Sequence, residues 1–85
     1  MKEKTIKIGL ENGLGARHVA LLVQEASKYE SKIYILSEDK KVNAKSIMGM
    51  MSLGLDSGES LTVTAEGSDE EAAVEGIEKF LSNAG

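Results

Sequence analysis

Leu61-Thr62-Val63-Thr64-Ala65-Glu66-Gly67-Ser68-Asp69-Glu70-Glu71-Ala72-Ala73-Val74 contains the change of period on which the fold turns. Leu61, Val63 and Ala65 alternate with Thr62, Thr64 and Glu66, which predicts a half-buried strand. Beyond Gly67, Val74, Ile77 and Leu81, flanked by Ala73 and Phe80, recur at helical spacing and predict an amphipathic helix. Between the two, Ser68-Asp69-Glu70-Glu71 has the pattern of a capping box, with Ser68 and Glu71 expected to satisfy end amides reciprocally. Its acids have the sign that a helix N-terminus favours.

The same two periods organise the rest of the chain. Lys4 to Leu10 alternates, with Ile6, Ile8 and Leu10 on one face, and predicts a strand. Asn12-Gly13 signals a loop. From Ala16, Val19, Leu22, Val23 and Ala26 fall on one helical stripe ending near Lys28. Ser31 to Leu36 predicts a strand, and Lys40 to Ala44 a short partner across a Glu38-Asp39 turn. Ser46 to Leu53 has room for about two helical turns, and Gly54 to Gly58 predicts a loop. The order β-α-β-β-α-β-α predicts an α+β, two-layer open-faced sandwich, a four-stranded antiparallel sheet with three helices on one face. Residues 1–85 suit a single domain.

Composition narrows the function classes. The chain has 41% apolar and 28% charged residues, a net charge of −4, no cysteine and one histidine. No disulfide or thiolate metal site can form, and neither a metal nor any other cofactor is expected. No apolar run approaches a membrane span or a signal-peptide core, so a cytoplasmic protein without membrane contact is expected. The first 45 residues carry a net +3 and the remainder −7. An acidic chain without a clustered basic stripe is a poor direct ligand for nucleic acid.

Two runs carry chemistry: Asn12-Gly13-Leu14-Gly15-Ala16-Arg17-His18 and Val42-Asn43-Ala44-Lys45-Ser46-Ile47-Met48-Gly49. Together they resemble the HPr family, the small phosphocarriers of the bacterial sugar phosphotransferase system. The resemblance extends over essentially the whole chain and implies the same fold. It places the family's phosphoryl-carrying histidine at Gly15, which is therefore a degenerate carrier position, and it places Arg17 facing the phosphoryl oxygens. The chain departs from the family at His18, where proline is usual, and at Val19, where a small residue is usual. Glycine has no nucleophile, so the relay at that position is excluded. His18 is the alternative carrier, one turn further along the helix and some 60° around it.

Ser46 by itself reads as an ordinary N-cap. The run Lys45-Ser46-Ile47-Met48-Gly49 followed by Met51-Ser52-Leu53 resembles the family signature around the serine phosphorylated by HPr kinase/phosphorylase. Lys45 and Arg17 are the candidate partners for a phosphate there. The resemblance further implies a partner-docking face made of Arg17, Ala20, Leu21, Gln24, Lys45, Ile47, Met48 and Met51, methionine being suited to adaptable contacts.

Loss of the histidine with retention of the serine resembles Crh, the catabolite-repression variant of HPr, in which glutamine is usual at the position of Gly15. That implies a regulator and no enzyme: Ser46 phosphorylated by HPr kinase/phosphorylase, and the phospho-form acting as corepressor of the transcription regulator CcpA. Two alternatives stand beside it, a phosphoryl carrier using His18 and a modulator that binds a metabolic enzyme in the unphosphorylated form. The chain is expected as a monomer, or as a homodimer that exchanges its first strand.

Overall fold

In a computed structural model, residues 1–9, 15–38, 40–54 and 58–82 are described. Seven elements follow in the expected order: β1 (Lys2–Lys7), α1 (Ala16–Ser27), β2 (Lys32–Ser37), β3 (Lys40–Asn43), α2 (Ile47–Met51), β4 (Ser60–Glu66) and α3 (Glu70–Ser82). The strands form one antiparallel sheet in the order β1-β4-β2-β3, so the two sequence-adjacent strands β2 and β3 pair as a hairpin while β4 enters between β1 and β2.

One face of the sheet carries Ile6, Ile33, Ile35, Leu61, Val63 and Ala65, all buried. The helices cover that face with Val19, Leu22, Val23 and Ala26 from α1, Met50 from α2, and Ala73, Val74, Ile77 and Leu81 from α3. The helical stripes are those that the apolar spacing predicts. On the opposite face the Thr5 and Thr62 hydroxyls meet across β1 and β4 at 3.1 Å, and the Lys41 ammonium lies 4.7 Å above the Tyr34 ring. Thr64 also belongs to that face by register, yet its neighbours leave it only 9% exposed.

The first strand ends earlier than the alternation predicts, because after Lys7 the chain leaves the regular ladder. Ile8 stays buried and closes a small ring of backbone bonds, its N–H donating to Glu59 O at 2.8 Å and its carbonyl accepting from Gly58 at 3.0 Å. Gly9 then donates to Leu81 O at 2.8 Å, passing so close to the end of α3 that a Cβ there would stand 2.7 Å from Ser82 O. Leu10, Gly13 and the rest of that loop, Asp39 of the expected turn, and residues 55–57 lie outside the described residues.

The expected capping box at α3 does not form. The helix begins at Glu70, one residue later than that motif requires, and Asp69 O accepts the first helical bond, from Ala73. The Asp69 carboxylate turns instead to the link between α1 and β2, where it accepts from Glu30 N at 2.9 Å, from Ser31 N at 3.0 Å and from the Ser31 hydroxyl. Ser68 Oγ donates to Glu30 Oε2 at 3.4 Å, and the Gly67 amide donates to Glu70 Oε1 at 3.2 Å. Ser31 is buried, and these bonds satisfy it.

Candidate functional site

The N-terminal ends of α1 and α2 carry the candidate residues. α1 starts from Gly15, whose carbonyl accepts from Val19 N at 2.9 Å and which has no side chain to cap the helix. Its backbone is extended, φ −77° and ψ 175°, and nothing lies within 4 Å of where a Cβ would stand. Gly15 is thus an open place without a side chain. His18, the third residue of α1, is half-buried where a solvent-exposed side chain is expected of a first-turn histidine.

Arg17, Ala20, Leu21 and Gln24 recur at helical spacing on the side of α1 opposite its buried stripe. Arg17 and Gln24 are exposed, Leu21 is 44% exposed and Ala20 is half-buried. Arg17 makes no ion pair among the described residues.

α2 is only five residues long, and one side chain, Met50, anchors it in the core. A single turn-and-a-half of helix cannot bury more than one side, so Ile47, Met48 and Met51 face outward, 50%, 85% and 54% exposed. α2 packs against α1 and β3.

Ser46 caps α2 as its sequence predicts. With φ −108° and ψ 115° its side chain reaches back over the first turn, and Oγ accepts from Gly49 N at 3.2 Å. Its carbonyl accepts from Met50 N and its own amide donates to Asn43 O, both at 3.0 Å. The residue is half-buried, so the hydroxyl is held in place while still reachable. The other end of α2 is closed by a lysine that spacing alone does not single out: Lys40 Nζ donates to Ser52 O at 2.7 Å, beside the Ser52 hydroxyl's bond to Gly49 O.

Lys45 departs from the expected arrangement. Its ammonium donates to the backbone carbonyl of Tyr29, just beyond the end of α1, at 2.6 Å. It is half-buried and committed to that carbonyl, and does not stand free beside Ser46. Tyr29 is itself bound to α1 through its hydroxyl, which donates to Glu25 Oε2 at 3.0 Å. Burial, and then Glu25, push the Tyr29 hydroxyl up from its ordinary pKa, while the Lys28 ammonium foremost holds the Glu25 carboxyl down.

Comparison with known proteins agrees with this layout. The family model for the HPr component phosphorylation site of the phosphotransferase system matches residues 2–83. HPr-like protein Crh of Halalkalibacterium halodurans is 49% identical over 81 residues, 95% of this chain and 96% of that protein. The crystal structure of phosphocarrier protein HPr from Bacillus anthracis superimposes with a TM-score of 0.91 at 46% identity, covering 94% of this chain and 95% of that one. Crh of Bacillus subtilis, whose crystal structure is a domain-swapped dimer, has a TM-score of 0.79 at 40% identity, covering 100% and 98%. With the family model matching nearly every residue and the two-layer sandwich shared, the chain belongs to the HPr family.

Proposed function

We propose that this chain is a regulatory HPr-like protein: HPr kinase/phosphorylase phosphorylates Ser46, and the phospho-form is a corepressor of CcpA in carbon catabolite repression. The observation that carries the reading is the pairing of a held, reachable serine with an apolar patch of Ile47, Met48 and Met51 around it, while Gly15 offers no nucleophile. In the modification the Oγ–P bond forms as the bond from the γ-phosphorus of ATP to its bridging oxygen breaks. ADP leaves, and the hydroxyl proton passes to the kinase.

A phosphate adds about −1.5 to −2 charges to a surface whose other feature is apolar, so it changes which partner fits that surface. The acidic balance of the chain suits a role in which CcpA supplies the DNA contacts. Like its relative from Bacillus subtilis, the chain is proposed to reach a strand-exchanged dimer, with β1 as the exchanging edge strand.

Relatives of both kinds, a regulator and a phosphocarrier, are nearly equally similar, so the carrier reading rests on His18 alone. Intact-mass measurement after parallel incubations separates the two. ATP with HPr kinase is expected to add one phosphoryl group to the parent and none to Ser46→Ala. Phosphoenolpyruvate with enzyme I is expected to add none, and a gain that His18→Ala abolishes would overturn the regulatory reading.

A further inference from the structure

Lys45 immediately precedes the candidate acceptor, yet its charge is spent elsewhere. The backbone around it is fixed, with Lys45 N donating to Asn43 Oδ1 at 2.8 Å and Ser46 N donating to Asn43 O at 3.0 Å. From that fixed turn the side chain runs to the Tyr29 carbonyl at 2.6 Å. Tyr29 stands just past the C-cap of α1, Lys28, where carbonyls have lost their intrahelical donors. The ammonium therefore satisfies a carbonyl at the negative end of that helix.

We infer that a phosphate on Ser46 takes the Lys45 ammonium away from the Tyr29 carbonyl, so that modification of α2 is registered at the end of α1. The inference rests on the reading of Ser46 as the phosphate acceptor and concerns how that site is regulated. A dianionic phosphate attracts an ammonium more strongly than a neutral carbonyl does, because both partners are then charged. The lysine stem has four flexible carbons, enough to re-aim the head group while the Asn43 turn holds the backbone still. Little opposes the exchange. Tyr29 is half-buried, and water can replace the lost donor. The following residues, Glu30 and Ser31, stay clasped by Asp69, which confines the change to one carbonyl and one side chain. The phosphate then presents itself to a partner partly neutralised by its own neighbour.

Arg17 is the competitor, being exposed and free of ion pairs among the described residues. If Arg17 takes the phosphate, Lys45 keeps its carbonyl.

The test follows the carbonyl carbon of Tyr29 by NMR in the isotopically labelled full chain, before and after incubation with HPr kinase and ATP, with mass analysis to establish occupancy of Ser46. Unphosphorylated Lys45→Met supplies the position of that resonance without the ammonium. Movement of the phosphoprotein's resonance toward the Lys45→Met position is expected. A resonance that keeps its parent position on a fully phosphorylated chain would overturn the inference and leave Ser46 as acceptor. Identical positions in the parent and Lys45→Met would overturn it as well, since no bond would then exist to be exchanged. Absence of any phosphoryl gain would instead remove the Ser46 reading, and the inference with it.

Discussion

The ring hydroxyl of Tyr29 lies against Gly76 of α3, in the space that a Cβ at that position would occupy. The same hydroxyl donates to Glu25 Oε2, so a side chain just past the end of α1, its carboxylate partner on that helix and a notch in α3 interlock. A glycine in the middle of a helix is otherwise a cost of about 1 kcal/mol relative to alanine.

That contact sets the sign of a substitution. Gly76→Ala gains helix propensity but drives Cβ into the Tyr29 hydroxyl, and overpacking of this kind costs about 1–3 kcal/mol. The variant is expected to be less stable than the parent by about 1 kcal/mol net of the propensity gain. In a Tyr29→Ala background the same change is expected to stabilise by about 0.5–1 kcal/mol, since the notch then borders only Glu25 Oε2, 3.0 Å from that Cβ and able to swing away once its tyrosine partner is gone. Urea denaturation of the four proteins measures the coupling, and equal effects in both backgrounds would remove the notch as its cause.

Acid stability reports on Asp69. The Ser31 hydroxyl foremost, then the Glu30 amide, hold its carboxyl below the ordinary value of 3.8. A folded value below the unfolded one stabilises the fold at pH above the unfolded value, and that contribution disappears as pH falls through the folded value. Asp69→Asn is expected to be less stable than the parent at neutral pH and to lose less on acidification. Denaturant midpoints at about pH 7 and about pH 3 compare the two, and parallel losses would place the acid sensitivity in other carboxyls.

The apolar patch separates binding from folding. Met48 is 85% exposed, so Met48→Asp is expected to leave stability within about 0.5 kcal/mol of the parent. If Met48 belongs to the docking face, the same change weakens the phospho-form's affinity for CcpA by about tenfold or more, the effect of losing a contact worth over 1 kcal/mol. Titration calorimetry with the phosphorylated protein measures it.

Position 15 tests the carrier reading directly. With an extended backbone and open space around the missing Cβ, Gly15→His is expected to fold with stability within about 0.5 kcal/mol of the parent. It is also expected to accept a phosphoryl group from phosphoenolpyruvate through enzyme I, while the parent is expected to accept none. A folded variant that stays unmodified would show that more than the nucleophile has been lost from this loop.

Much of this architecture is legible from period alone. The stripes Val19-Leu22-Val23-Ala26 and Val74-Ile77-Leu81 define their helices because every member is buried against the same sheet. Ser46 is legible because a cap acts within its own turn, through Gly49 three residues on. Bonds that join distant segments leave no such trace. The Lys45 bond to Tyr29 spans sixteen residues, and the Asp69 bond to Ser31 spans thirty-eight. Ser68 matches the local capping pattern, but the α1–β2 link offers Asp69 two amides and a hydroxyl. Tertiary demand decides where the carboxylate at the start of the helix bonds.

The seam between β1 and α3 changes the meaning of the chain's uneven charge. Lys2 lies 3.6 Å from Glu71 and Lys4 lies 2.7 Å from Glu78, each pair joining the basic half of the chain to its acidic half. What reads along the chain as a strong polarity is folded back on itself, and two of its positive charges are cancelled locally. The fold therefore has a weaker dipole than its sequence suggests, and an approaching partner is steered by the cations left elsewhere, Arg17 among them. Because both lysines are exposed to solvent, salt screens this cancellation, and the Lys2–Glu71 pair, the more open of the two, is screened first.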